Sequence, residues 1–233
     1  MARTSNKSTL VTVMNPLSPA AEGYRTLRTN IQFSILDKQI QVIMAASAQM
    51  NEGKTTTISN LAVTYAQEGK KVMIIDGDLR KPSLHHIFMQ PNHNGLTSVL
   101  SRQYDLDEVI RQTYVDNLYL IPSGPIPPNP TELLGSQQMN DLMEQLKRDY
   151  DVILFDTSPI MAVTDALIIS SLCDGVVLVI HGGKVKKEIV HKAKAQLDHA
   201  KANILGVVLN QVSIRGNDAD YIFYNDTKSK DGV

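Results

Sequence analysis

Gln41-Val42-Ile43-Met44-Ala45-Ala46, a short apolar run, leads into Ala48-Gln49-Met50-Asn51-Glu52-Gly53-Lys54-Thr55, and the order of these two stretches decides the fold. Beyond them Ile58, Leu61, Ala62 and Tyr65 recur at helical spacing, and Gly69 closes that helix. Strand, loop and helix in this order are the setting that a phosphate-binding loop requires. Gly53 lets the backbone curl so that successive N–H groups and the helix N-terminus face phosphate oxygens. Lys54 neutralises β and γ oxygens, and the Thr55 hydroxyl is a ligand for Mg²⁺. Ala48 stands where the usual pattern has its first glycine, and a residue this small still fits. Ala48, Asn51, Glu52, Gly53, Lys54, Thr55 and Thr56 are thus the expected nucleotide contacts, with ATP and Mg²⁺ as cofactors.

Further apolar runs at Val72 to Ile75, Leu118 to Ile121, Val152 to Phe155, Val176 to Ile180 and Leu205 to Leu209 read as strands buried on both faces. Val185, Ile189, Ala193 and Leu197 form one stripe of a late helix. The expected class is α/β, a doubly wound and mostly parallel sheet of the P-loop NTPase kind. Before the first strand, Ser18 and Pro19 offer a helix cap and first position, followed by Tyr24, Leu27, Ile31 and Ile35 on one face. Residues 1–17 read as an arm, with Leu10 to Val13 as an edge strand. Pro122 to Pro130 holds five of the ten prolines and reads as a stiff loop near the strand ends. The chain therefore divides into an arm (1–17), a P-loop domain with a leading helix (18–215) and a tail (216–233) in which the apolar pattern fails.

A chain of 233 residues suits one such domain. Its formal net charge of -1 gives no electrostatic reason to expect nucleic acid. The single Cys173 can form neither an intramolecular disulfide nor a multi-cysteine metal site, so a reducing cytosol fits. No apolar run reaches the roughly 18 residues of a spanning helix, so membrane association is expected through a partner.

Two strands end in carboxylates: Ile75 runs into Asp76-Gly77-Asp78, and Phe155 into Asp156. In a parallel sheet these ends converge beside the phosphate loop. Asp156 is then expected to hold Mg²⁺ through a water, with Asp76 and Asp78 where a base or second metal contact is wanted.

Asp76-Gly77-Asp78-Leu79-Arg80-Lys81-Pro82 after a phosphate loop, with Phe155-Asp156-Thr157-Ser158-Pro159 further on, resembles the bacterial tyrosine kinases of capsule and exopolysaccharide synthesis, the CpsD/CapB type. Glu22-Gly23-Tyr24-Arg25-Thr26-Leu27-Arg28 in the leading helix, Ser123 to Pro130, and a tail with tyrosines agree, so the resemblance spans nearly the whole chain. It implies a kinase unrelated to the eukaryotic fold, with MgATP at Lys54, Thr55, Asp76, Asp78 and Asp156 and Asp76 as the base that activates the acceptor. By the same resemblance Tyr221 and Tyr224 are autophosphorylation sites, phosphorylated in trans. Glu22, Arg25 and Arg28 are the ring-forming motif, and Asn210 lies where related P-loop ATPases contact adenine. It also implies a membrane adaptor of the polysaccharide copolymerase type, other proteins as tyrosine substrates, a cognate tyrosine phosphatase, and a place at the inner face of the plasma membrane.

Read without the family, Tyr221-Ile222-Phe223-Tyr224 also suits an edge strand, and the tail has two tyrosines where the family carries a denser cluster. Glu22, Arg25 and Arg28 also suit a solvated face with a Glu22 to Arg25 pair. The main rival is a positioning ATPase of the MinD/ParA sort. Its phosphate loop carries a signature lysine five residues before the invariant one, and that position here is Gln49. A catalytically idle scaffold would need a defect among Lys54, Asp76, Asp78 and Asp156, and all four are present.

Overall fold

In chain order the strands are β1 (Val42–Ala46), β2 (Val72–Asp76), β3 (Arg111–Gln112), β4 (Leu118–Ile121), β5 (Val152–Asp156), β6 (Gly175–His181) and β7 (Ile204–Asn210). The structure is a computed structural model describing residues 10–34 and 40–212. The strands form one sheet in the order β3-β4-β2-β5-β1-β6-β7. Every neighbouring pair is parallel except β3 with β4, so the expected mostly parallel sheet is what the chain adopts.

The apolar runs follow from burial on both faces. Within β1, Val42, Met44 and Ala46 join one core cluster while Ile43 and Ala45 join the other, so no position is free to be polar. The edge strand β7 departs from this pattern. Val207 and Leu209 are 53% and 63% exposed, because nothing among the described residues covers that end of the sheet.

The helices are α1 (Val11–Met14), α2 (Pro19–Phe33), α3 (Lys54–Gln67), α4 (Leu84–Ile87), α5 (Leu96–Leu100), α6 (Leu106–Val109), α7 (Pro130–Leu134), α8 (Gln137–Asp149), α9 (Asp165–Ser170) and α10 (Lys187–His199). The Ser18 hydroxyl accepts from the Ala21 N–H at 3.2 Å and Pro19 occupies the first turn of α2, as the sequence leads one to expect. Ala21 and Ile31 are its buried residues, and it packs on α3; Ile35, placed on the same face by spacing, lies outside the described residues.

Two local expectations are corrected. Leu10 to Val13 is not an edge strand: Leu10 is fully buried and Val11 opens the helical turn α1. The reason is tertiary, since Asn60 Oδ1 on α3 accepts from both the Thr12 N–H (3.1 Å) and hydroxyl (2.9 Å), a docking that a strand would break. Val185 precedes α10 instead of joining its stripe, whose buried members are Ala193 and Leu197. The sequence reading also names no helix over 137–149, although Met139, Leu142, Met143 and Leu146 mark one buried face there.

Since β1 lies between β5 and β6, and β2 lies beyond β5, the carboxyl ends of β1, β2 and β5 stand side by side. The phosphate loop, Asp76 and Asp156 are those three ends.

Candidate active site

The loop between β1 and α3 turns at Asn51 (φ 62°) and Gly53 (φ 96°), both left-handed. Only glycine fits at position 53, because a Cβ there would collide with the Asn210 side chain. That side chain donates from Nδ2 to the Glu52 carbonyl at 3.0 Å, so the end of β7 fastens the loop. Glu52 is turned inward: it is 1% exposed, and its carboxylate accepts from the Gln49 N–H and from the His181 N–H. Of the expected nucleotide contacts, Asn51, Gly53, Lys54, Thr55, Thr56 and Asn210 line one cleft of about 720 Å³. Glu52 is not among its lining residues, and Ala48 is buried behind it, its carbonyl accepting from the Met161 N–H at 3.2 Å. A cleft of this size suits a nucleotide-sized ligand.

The carboxylates meet this loop as the topology requires. Asp76 and Asp156 are register partners on β2 and β5, both buried. Asp156 Oδ2 accepts from the Thr55 hydroxyl at 2.6 Å, while its Oδ1 is buried without a partner. Asp76 Oδ2 accepts from the N–H groups of Ser83 (2.9 Å) and Leu84 (3.0 Å), while its Oδ1 is likewise unpartnered. Burial, then the nearby Asp156, holds the Asp76 carboxyl well above the usual carboxylate range. Burial pushes Asp156 up to about 6, against the downward pull of Lys54 and of the Thr55 hydroxyl. Asp78 lines the open cleft, its Oδ1 accepting from the Arg80 and Lys81 N–H groups at 3.3 and 3.0 Å.

Buried carboxylate oxygens without partners beside a buried lysine are costly unless something positive joins them. Mg²⁺ fits this donor set. It takes one or two carboxylates and borrows the rest of its shell from phosphate and water. Among the described residues no group of three or more His, Cys, Asp or Glu side chains could hold a metal ion.

Two features had escaped the sequence reading. Ser158 Oγ, beside the cleft, is a further buried oxygen without a partner; the residue lies in the quoted Phe155 to Pro159 motif but had no role there. Arg80 is held by Asp165, fully buried at the start of α9: Nε donates to Oδ2 at 2.7 Å and Nη2 to Oδ1 at 3.2 Å. The Thr131 hydroxyl of α7 donates to the same Oδ1 at 2.7 Å, tying the proline loop to the Asp78 turn. Nothing in the spacing of the sequence points to Asp165.

Glu22, Arg25 and Arg28 lie on α2, outside the cleft lining. Arg25 pairs with Glu22 at 2.8 Å, and Arg28 donates to the Thr64 carbonyl of α3 at 2.7 Å. Tyr221 and Tyr224 lie outside the described residues.

A family model for an AAA domain matches residues 40–204. Tyrosine-protein kinase YwqD of Bacillus subtilis is 46% identical over 201 residues, 86% of this chain and 85% of that protein. The putative tyrosine-protein kinase CapB of Staphylococcus aureus is 40% identical over 211 residues, 91% and 92% of the two chains. The crystal structure of the chimerical protein CapA2B2 superposes with a TM-score of 0.86 at 40% identity, covering 89% of this chain and 91% of that one. The septum site-determining protein MinD of Pyrococcus horikoshii, complexed with Mg-ADP, reaches a TM-score of 0.62 at 24% identity, covering 78% and 76%. That last likeness shows the fold alone.

Proposed function

The chain belongs to the bacterial tyrosine-protein kinases of the CpsD/CapB type, those of capsule and exopolysaccharide systems, and from that premise we propose how its residues carry out the reaction. The γ-phosphoryl group passes from ATP to a tyrosine oxygen, the tyrosine proton passes to a carboxylate, and ADP leaves. Lys54 and the N–H groups of the loop hold the β and γ phosphates, with Asn51, Gly53 and Thr56 shaping the cradle and Asn210 closing it toward the base. Thr55, Asp78 and Asp156 would hold Mg²⁺, which when bound would supply positive charge against the phosphate oxygens. Asp76 takes the acceptor proton: burial makes it more basic than an exposed carboxylate, and its Oδ1 has no other partner.

The observation that supports this reading is the meeting of the Lys54 loop with Asp76, Asp78 and Asp156 at three adjacent strand ends. The acceptors are Tyr221 and Tyr224 of a neighbouring copy, together with tyrosines of other proteins. Glu22 and Arg25, the more exposed part of their motif, form the subunit contact of a ring, while Arg28 braces α2 on α3. Among the described residues no helix is long and apolar enough to cross a membrane. A membrane adaptor of the polysaccharide copolymerase type holds the kinase at the inner face of the plasma membrane and activates it, and a cognate phosphatase reverses its product.

The test is transfer of labelled γ-phosphate to the purified chain, with and without the adaptor's cytoplasmic peptide. Phosphotyrosine is expected from the parent chain. It disappears in Lys54→Met and in the double variant Tyr221→Phe, Tyr224→Phe. ATP hydrolysis without phosphotyrosine, even with the adaptor peptide, would sink the proposal.

A further inference from the structure

We propose that Lys81 selects the acceptor, reading acidic side chains that flank the tyrosine to be phosphorylated. This rests on the kinase reading above and adds the chemical class of the peptide that the kinase takes.

Three cations line the cleft, and they are not equivalent. Lys54 is only 7% exposed and lies within electrostatic reach of the buried Asp156 carboxylate. The Arg80 guanidinium is matched by the buried Asp165 carboxylate at 2.7 Å. Lys81 is exposed and takes part in no ion pair among the described residues. Its backbone is fixed by Asp78, and its ammonium lies 3.6 Å from Met50 Sδ of the phosphate loop. Among the described residues Lys81 is thus the exposed cation of the cleft without an ion pair, and it reaches from the Asp78 turn to Met50 of the phosphate loop. Pro159, Ala162 and Val163 give the same cleft an apolar surface suited to an aromatic ring.

The chain carries a segment of the complementary kind. Asp218 and Asp220 stand three and one residues before Tyr221, and Asp226 stands two after Tyr224. Residues 218–226 contain these three aspartates and no lysine or arginine. In a peptide bound in extended form, at about 3.3 Å per residue, acids one to three positions from a tyrosine would fall roughly 3 to 10 Å from it along the chain. A charge on the rim of a binding site chiefly sets specificity, so a modest preference is expected.

The experiment uses the full chain with Mg²⁺ and ADP, and a fluorescent peptide of residues 216–227 carrying Tyr221→Phe and Tyr224→Phe. A second peptide has Asp218→Lys and Asp220→Lys as well. By anisotropy the parent chain binds the acidic peptide about 5-fold more tightly than the basic one, the scale of an exposed ion pair. Lys81→Gln removes the preference and Lys81→Glu inverts it. An equal ratio in parent and Lys81→Glu overturns the inference, as does the absence of any preference in the parent. So does a loss of ADP affinity on Lys81→Glu with the peptide ratio unchanged, which would assign Lys81 to the nucleotide instead. Whether the tyrosine form of the same peptide gains phosphate from ATP is a separate readout, and it decides the kinase reading without deciding the role of Lys81.

Discussion

Gly53 is the position where one added carbon reaches furthest. Its φ of 96° disfavours any side chain, and a Cβ would displace the Asn210 amide that fastens the loop to β7. Gly53→Ala is therefore expected to lower stability by about 1 to 2 kcal/mol and to weaken binding of a fluorescent ATP analogue at least tenfold, the loop losing both its turn and its clasp. Binding within twofold of the parent would contradict this. At this scale the convergence of Lys54, Thr55 and the aspartates that end β2 and β5 was legible, because residue type and spacing point to it together. It was not legible at Asp165, whose partner Arg80 is 85 positions away and reaches it only through the fold. Glu52 shows a third case: its place in the loop was evident, but buried backbone donors at Gln49 and His181 draw its carboxylate away from the cleft.

Among the elements, the parallel strands were readable because burial on both faces leaves only apolar residues in them. β3 was not, being two residues long and set by pairing with β4 alone. α1 is the instructive miss. Its four residues carry no helical periodicity, and what fixes them is the docking of Leu10 and Thr12 on α3, the helix that begins with Lys54. Leu10 is fully buried against the cluster that contains Ile58, Leu61 and Ala62. Leu10→Ala should then cost about 2 to 4 kcal/mol in urea unfolding. A cost below about 0.5 kcal/mol would show that the turn is not anchored there.

For the whole molecule, two carboxylates buried side by side mean that the site opposes folding until its ligands arrive. The folded pKa of Asp156 is raised from 3.8 to about 6, first by burial. A raised carboxylate binds its proton more tightly when folded, so its stabilising contribution is full below about pH 4 and is lost as pH rises through about 6. A shift of two units corresponds to about 3 kcal/mol. In metal-free, nucleotide-free chain, Asp156→Asn should gain stability relative to the parent by about that amount between pH 4 and pH 7, read by urea unfolding at each pH. A constant difference across that range would show that Asp156 is not destabilised by its surroundings. On the function proposed above, Mg²⁺ and phosphate joining the site would relieve the same frustration.

The central claim is that the cleft of one chain serves a tyrosine of another, and a mixing experiment tests it most directly. Lys54→Met supplies intact tyrosines without a working site, and the double variant Tyr221→Phe, Tyr224→Phe supplies a working site without tail acceptors. The two are combined with Mg²⁺ and labelled ATP, and the phosphotyrosine of each chain is measured after separating them by an affinity tag. The account predicts label on the Lys54→Met chain in the mixture and none on either chain alone. Label confined to unmixed parent chain, with none passed to the Lys54→Met chain, would contradict it.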